Sequence, residues 1–204
     1  MEGFFTLPQK IIAEQTIDKS RFIGIGVPVQ TIEEINSAMI AIQQDFPNAR
    51  HYVYAYRLHD GTIEKASDDG EPQGTGGRPV LDFLQHQNVW NVLLVVVRYF
   101  GGVLLGTGGL TRAYGSTARQ VLSEVELVKL TLFRQYRLCV PYEWYELLKY
   151  QFKQRCWSIR NEEFSETIDL TISIPKIQAE LFLKWIEDFT RKQVKCEDNG
   201  TAWG

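Results

Sequence analysis

The sequence predicts an α+β protein that folds as two domains, 1–130 and 131–204. The apolar run Val92–Tyr99 is typical of a central strand covered on both faces. It is flanked by two glycine-rich segments, and the second leads into a helical pattern. After Leu130 the pattern becomes strand, helix, strand, strand, helix, strand, which is the split βαβ order of ferredoxin-like folds.

The elements of the front domain follow from periodicity and from turn residues. Thr31, followed by Glu33 and Glu34, is a typical helix start, because the hydroxyl caps free N–H groups and acids favour that end of the dipole. Apolar residues then recur at helical spacing until Pro47. Besides the central strand, we predict an extended segment at Thr16–Val29, a helix at 32–46, strands at His51–Leu58 and Thr62–Lys65, a short helix opened by Pro79, and a helix at Leu110–Leu122.

The back domain is predicted from alternating and helical apolar patterns in the same way. Trp144, Trp157 and Trp185 fall at inward positions of these patterns, so we expect them to be core residues rather than an RNA-stacking surface. The predicted elements are a strand at Leu132–Val140, a helix from Pro141 to Gln154, strands at Cys156–Glu163 and Glu166–Ile174, a helix at Ile177–Phe189 and a strand at Gln193–Glu197.

Composition limits the classes of function. The 204 residues carry a net charge of −3, and 44 % of them are apolar, as in soluble globular proteins. Neither half is basic, so we do not expect bulk electrostatic binding of nucleic acid. The three cysteines, Cys139, Cys156 and Cys196, lack the C-x-x-C spacing of a zinc site. No signal peptide or membrane-spanning run is recognisable, so we expect a cytoplasmic protein.

The glycine-rich segment Gly101–Gly109 is the leading candidate for a binding site. A strand, a glycine turn and a helix start place free backbone N–H groups at the positive end of a helix dipole, which favours anions. The alternative is a tight connection with no ligand. The segment lacks the G-K-[ST] of a P-loop and the dinucleotide fingerprint. The candidate anion-binding residues of the two glycine turns are Gly74, Gly76, Gly77, Arg78, Arg98, Gly101, Gly102, Thr107, Gly108, Gly109 and Arg112.

The acidic segment SDDGEP precedes the first glycine turn and has three interpretations. Asp68, Asp69 and Glu71, with Asp82, could hold Mg²⁺ if a phosphate completed the shell. Alternatively, Asp68 or Asp69 caps a turn in a solvated loop, which is the usual role of adjacent acids. In the third interpretation the acids form ion pairs that order the two loops; the partners would be Arg78, Arg98 or Arg112.

The three histidines are dispersed along the chain, and no serine or cysteine motif accompanies them. His51 begins the tyrosine-rich strand, so it is a supporting candidate of the site, together with Asp68, Asp69 and Glu71. We assign no catalytic residue and no resident metal ion from the sequence. The only cofactor considered is Mg²⁺ accompanying a phosphate ligand.

Five blocks of the first 130 residues resemble the signature of the IMPACT/YigZ family, and they occur in the family's order. The blocks are SRFIG (Ser20–Gly24), ARHYVYAYR (Ala49–Arg57), SDDGEPQGTGG (Ser67–Gly77), VVVRYFGG (Val95–Gly102) and LGTGGLTRAYG (Leu105–Gly115). One small departure is Gly76, where family members more often have alanine.

This resemblance implies a fold for each domain and a role in translation. The front domain should resemble the fold shared by a small-subunit ribosomal protein and the GHMP kinases, and the back domain the fifth domain of elongation factor G. The eukaryotic IMPACT protein restrains amino-acid-starvation signalling through a kinase's activator that binds ribosomes. Bacterial members are poorly understood, and the eukaryotic proteins carry a different partner domain.

We therefore consider two alternative functions, one of a binding protein and one of an enzyme. The first is a non-enzymatic regulatory protein that docks on the translation machinery or another RNA–protein complex, without contact with membranes. Its surface would combine the glycine turns with Arg57, Arg78, Arg98 and Arg112. The second is a Mg²⁺-dependent phosphate- or nucleotide-binding enzyme that uses the glycine turn at 101–109.

Overall fold

The computed structural model describes residues 3–204, and the chain divides into two compact units. One unit is Phe4–Lys129 and the other contains Leu130–Gly204. Both units combine helices with antiparallel sheets, so the predicted α+β class is confirmed. In the part of the chain that the structure describes, no helix has the length and apolar character that a membrane span requires.

The front unit is a five-stranded sheet with helices on both faces. Its elements are β1 (Phe4–Thr6), β2 (Ile11–Ile17), β3 (Ser20–Pro28), α1 (Ile32–Asp45), β4 (His51–Leu58), β5 (Ile63–Ser67), α2 (Gly77–His86), β6 (Val92–Tyr99), α3 (Gly106–Ser123) and β7 (Val128–Leu130). The sheet has the order β2-β3-β6-β4-β5, and β1 pairs with β7 in a separate two-stranded sheet. Neighbouring strands of the large sheet are antiparallel.

The central strand β6 is covered on both faces, as its apolar run predicts. Val92, Leu94 and Val96 pack into the core beneath α2 and α3. Leu93, Val95 and Val97 pack on the opposite face into the core that contains the buried residues of α1. Because both faces are covered, the strand lacks the alternating pattern of an ordinary antiparallel strand.

Two details of the front unit decide its local geometry. Thr31 caps α1, because its side chain accepts a hydrogen bond from the N–H of Glu34, and the Glu34 carboxylate accepts one from Gln30 N–H. The Thr31 cap confirms the predicted helix start, and the Glu34 carboxylate adds a bond to the residue before the cap rather than to Thr31 itself, as a capping box would. The predicted single segment Thr16–Val29 is wrong, because a turn at Asp18 and Lys19 divides it into β2 and β3. Both turn residues have positive φ, 45° and 64°, although neither is glycine.

The back unit has the predicted split βαβ order. Its elements are β8 (Leu132–Val140), α4 (Tyr142–Gln154), β9 (Ser158–Phe164), β10 (Ile168–Pro175), α5 (Ala179–Phe189) and β11 (Lys195–Trp203). The strand order β11-β8-β10-β9 is antiparallel throughout and places β8 and β10 at the centre. Trp157 is buried, and Trp144 and Trp185 pack against the same core, so the prediction that they are core residues is confirmed.

Candidate functional site

A cleft of about 640 Å³ lies in the front unit where the second glycine segment meets the acidic loop. The end of β6 and the start of α3 supply two of its walls. The residues that line it are Arg50, His51, Glu71, Pro72, Arg98, Phe100, Leu104, Leu105, Gly106, Thr107 and Leu110. The cleft thus brings together both motifs that the sequence singles out.

The start of α3 is open toward solvent. The helix begins at Gly106, its N-cap residue Leu105 makes no side-chain capping hydrogen bond, and its first turn contains no acid. Gly106, Thr107 and Gly108 are all exposed. The first N–H groups of a helix have no partner within the helix, and the dipole makes this end positive. This start is therefore suited to an anion, and its glycines keep side chains away from it.

A projecting apolar loop, residues 100–105, connects β6 to α3. Leu104 is 88 % exposed, and Phe100 and Val103 are also exposed. The loop turns sharply at Gly102, whose φ is +84°. Gly101 is fixed by close contact, because a Cβ there would lie 2.0 Å from the carbonyl carbon of Lys19. The turn between β2 and β3 therefore positions the loop beside the cleft.

A buried cluster of three side chains forms the inner wall. Arg98 Nη1 donates a hydrogen bond to Glu71 Oε1 at 2.6 Å, and the Tyr114 hydroxyl donates to the same oxygen at 2.7 Å. Arg98 is 5 % exposed, Glu71 9 % and Tyr114 0 %. Burial, together with the neighbouring Glu71 carboxylate, raises the pKa of Tyr114 far above its ordinary value. The phenol is therefore a permanent donor that holds Glu71 in place.

Arg98 has one unused donor. Its Nη2 lies 3.4 Å from Ser20 Oγ, while its Nε is buried and has no hydrogen-bond partner among the described residues. An unpaired buried donor costs free energy, so such groups usually mark a strained or ligand-binding position. Because the Nε atom is itself enclosed, it is not a donor that a ligand in the cleft can reach in this structure.

His51 connects the cluster to the acidic loop. Its Nδ1 lies 2.7 Å from the carbonyl oxygen of Asp69. Because a carbonyl oxygen only accepts, Nδ1 carries the proton. Nε2 then faces Glu71 Oε1 at 3.8 Å.

Asp68 organises the first glycine turn. Its carboxylate accepts hydrogen bonds from the N–H groups of Gly74, Gly76 and Gly77 at 2.8, 2.9 and 2.8 Å. Burial alone would raise the pKa of Asp68, but the three backbone donors outweigh it and the net shift is downward. The first turn therefore binds an anion supplied by the protein itself. This geometry corresponds to the capping interpretation of Asp68.

The other carboxylates of the acidic segment also have partners within the protein. Asp69 accepts a hydrogen bond from the N–H of Tyr52 at 2.6 Å, and Glu71 is the partner of Arg98. The latter contact corresponds to the ion-pair interpretation. Among residues 3–204, no group of three or more His, Cys, Asp or Glu side chains is arranged to hold a metal ion. Nothing in this arrangement favours the Mg²⁺ interpretation.

The four arginines predicted to share one surface do not do so. Arg98 is buried against Glu71, and Arg57 is buried against Glu64, with its guanidinium 3.7 Å from the centre of the Trp90 ring. The prediction that Arg57 and Arg98 belong to the docking surface is therefore wrong. The sequence pattern does not distinguish an arginine in solvent from an arginine inside a buried ion pair. Replacing Arg98 by Glu would bury the new carboxylate beside that of Glu71. Such a variant would disturb the fold and therefore does not test a surface.

The remaining arginines are exposed but lie elsewhere. Arg78 pairs with Asp82 on α2 at 2.7 Å, and Arg112 faces a different groove, between α2 and α3. The cleft has a cation that the sequence reasoning missed, Arg50, which is exposed at its edge. Tyr114 was also missed, because its role depends on contact with Glu71, 43 residues away in the chain. Only its position within the LGTGGLTRAYG block could have indicated it.

The fold and the cleft define a class of two-domain α+β protein whose candidate site combines the open start of α3 with the acidic loop and the end of β6. The model of the Impact N-terminal domain matches residues 18–122, and that of DUF1949, a domain of unknown function, matches residues 138–193. The IMPACT family member YvyE of Bacillus subtilis is 31 % identical over 93 % of this chain and 88 % of its own length. The chain belongs to the IMPACT family.

Other comparisons differ in how much of the chain they cover. A solved structure described as that of a hypothetical protein is 30 % identical, covers 96 % of this chain and 97 % of its own, and superposes with a TM-score of 0.63. Protein IMPACT of Rattus norvegicus is 31 % identical to this chain where the two align. The match covers 52 % of this chain and 34 % of the rat protein.

Proposed function

We propose that this protein is a non-enzymatic regulator that docks on the ribosome, or on another RNA–protein assembly of translation, through the cleft of its front unit. The observation that carries the proposal is the open start of α3 beside the exposed loop 100–105. One feature suits a phosphate, and the other suits an apolar protein or base surface.

The phosphate-binding part of the proposal depends on the helix start. Three exposed residues, Gly106, Thr107 and Gly108, present backbone N–H groups without an acid or a cap in the first turn. Arg50 adds an exposed cation at the rim. Because the whole chain is acidic, this arrangement favours recognition of one local phosphate over binding along a polyanion.

The docking part depends on the loop. Leu104 is 88 % exposed and Phe100 48 %, so most of the leucine side chain is not buried within the front unit. Exposed apolar groups next to a polar site are typical of surfaces that bind macromolecules. Membership of the IMPACT family supports translation as the setting, because the resemblance to that family implies a role in translation.

A Mg²⁺-dependent phosphate- or nucleotide-binding enzyme is the second candidate. The cleft volume of about 640 Å³ is in the range of small-molecule sites, and the helix start suits a nucleotide phosphate. This candidate predicts that ATP with Mg²⁺ stabilises the protein by about 2.7 kcal/mol when free ligand is at 100 times its Kd. A thermal melt that does not shift with any nucleotide would contradict it.

Ribosome co-sedimentation tests the proposed docking. Tagged protein in a lysate of its own host cells is run through sucrose gradients at low and at moderate salt. We expect co-migration with one ribosomal subunit that survives moderate salt, because a specific site depends less on screened charge than bulk binding does. Protein that stays at the top of both gradients would contradict the proposal.

Two variants locate the docking site. Thr107→Glu places a carboxylate in the first turn of α3, where it stabilises the helix but repels an incoming phosphate. We expect it to abolish co-migration without lowering the melting temperature. Gln43→Glu adds the same charge at an exposed position of α1, which lines no part of the cleft, and should co-migrate as the wild type does. Equal behaviour of the two variants would remove the cleft from the proposal.

A further inference from the structure

The front unit has a second groove, distinct from the cleft, between α2 and α3. Its volume is about 890 Å³. The floor is apolar and includes Phe83 of α2 and Leu122 of α3, with Leu127 from the segment after α3. The proposed docking function makes no use of it.

Two arginines of α3 border this groove, and both are exposed. Arg112 and Arg119 are seven residues apart, so they lie on the same face of α3 about 10.5 Å from each other along the helix axis. The Arg119 guanidinium lies 5.9 Å from the centre of the Phe83 ring and thus above the apolar floor. No carboxylate is among the residues that line the groove, and the nearby Asp82 is already paired with Arg78.

Gly115 keeps the groove open between the two arginines. It lies on α3 three residues after Arg112 and four before Arg119, which is the same face of the helix. A Cβ at this position would be in ordinary contact with Pro79 Cβ, at 3.8 Å. A larger side chain at this position would therefore fill the floor without distorting the backbone.

We propose that this groove binds an acidic amphipathic helix of a partner protein. Charge complementarity identifies the occupant: the groove has two cations, an apolar floor and no acid. Since the cations are two helical turns apart, the bound helix should carry acidic residues at positions i and i+7. Its apolar residues at i+3 and i+4 would fill the floor between them, as in other helix-in-groove complexes. About four turns, roughly 14 residues, are long enough to span both arginines.

Selection from a random phage-displayed peptide library on the full-length protein tests this proposal. We expect enriched peptides to carry acids at i and i+7 with apolar residues between them. A peptide of this pattern, labelled with a fluorophore, should bind with micromolar affinity in a polarisation assay. Enrichment of peptides without this acidic pattern would overturn the proposal, as would failure to enrich any peptide.

Variants then place the peptide in the groove. Arg112→Glu/Arg119→Glu should weaken binding at least tenfold, and Gly115→Met should weaken it similarly without any change of charge. Lys65→Glu/Lys184→Glu makes the same reversal of charge at exposed positions outside the groove and should bind as the wild type does. Thr107→Glu, which blocks the cleft, should also leave peptide binding unchanged. Loss of binding in either of these controls, or full binding by both groove variants, would overturn the placement.

Discussion

Asp68 shows how one side chain sets the shape of a glycine turn. Glycine turns rich in free N–H groups are often interpreted as ligand sites, yet in this protein the turn at 74–77 already holds a carboxylate of its own chain. The open N–H groups are those at the start of α3, which has no such internal anion. The two glycine segments therefore have different roles, one structural and one available for a ligand.

Asp68→Asn should lower the free energy of unfolding by about 1–2 kcal/mol at neutral pH, because hydrogen bonds to a charged acceptor exceed those to a neutral amide. The folded pKa of Asp68 lies below its unfolded value. Its contribution is therefore present above the unfolded pKa, about 4, and is lost as pH falls through the folded pKa. Urea unfolding at pH 7 and pH 3 measures the difference between wild type and variant at each pH.

The difference should shrink at pH 3, and an equal difference at both values would contradict the assigned role. Asp60→Asn is a suitable control, because Asp60 lies exposed in the short helical turn after β4. Exposed substitutions of this kind usually change stability by less than about 0.5 kcal/mol.

At the scale of elements, the Glu71 cluster joins three segments that are distant in sequence. Glu71 belongs to the acidic loop, Arg98 to β6 and Tyr114 to α3. Their hydrogen bonds hold the acidic loop against the strand and the helix that form the rest of the cleft. The cleft therefore depends on a buried ion pair, whose two members must be present together.

A double-mutant cycle on this pair should show strong coupling. Glu71→Leu alone should cost about 3–5 kcal/mol, because it leaves the buried Arg98 without a counter-charge. Glu71→Leu/Arg98→Met should cost much less than the sum of the two single variants. Chemical denaturation of the four proteins gives the coupling energy.

The exposed pair Arg21–Glu14, with a separation of 2.6 Å and both side chains about half exposed, is the matched control. The corresponding cycle, Glu14→Leu and Arg21→Met, should give coupling below about 1 kcal/mol. Similar coupling for the two pairs would mean that the Glu71–Arg98 contact contributes no more than a surface contact.

Most elements could be predicted from the sequence, because their signals are local. The bounds of β6 and β4 match the prediction, and the cap at Thr31 marks the start of α1. The turn between β2 and β3 was missed, because Asp18 and Lys19 adopt positive φ without glycine or asparagine. The charge partners of the arginines could not be predicted from the sequence either. Whether an arginine meets solvent or a carboxylate depends on strand pairing between distant segments, as for Arg98.

At the scale of the whole molecule, each unit has its own core. The buried clusters of the front unit contain residues of Phe4–Lys129, and that of the back unit contains residues after Leu130. The rat relative matches only about half of this chain, whereas the Bacillus relative matches nearly all of it. Both observations indicate that the parts can exist separately.

Fragments 1–130 and 131–204 should therefore each unfold cooperatively when expressed alone. The shorter fragment should be the less stable, because a domain of that size buries a smaller fraction of its surface. Thermal melts followed by circular dichroism provide the measurement. A front fragment without a cooperative transition would contradict the independence of the two cores, and full-length protein measured in parallel serves as the reference.

The cap on the first glycine turn also has a spectroscopic use. Glycine amide nitrogens resonate in an uncrowded region of the ¹H–¹⁵N correlation spectrum. Those of Gly74, Gly76 and Gly77 are fixed by one carboxylate, so their protons should exchange slowly with solvent even though the loop lies at the surface. In uniformly ¹⁵N-labelled protein, three resolved signals in one spectrum would then report when a ligand or partner disturbs the loop that carries Glu71, with no fluorophore or tag attached.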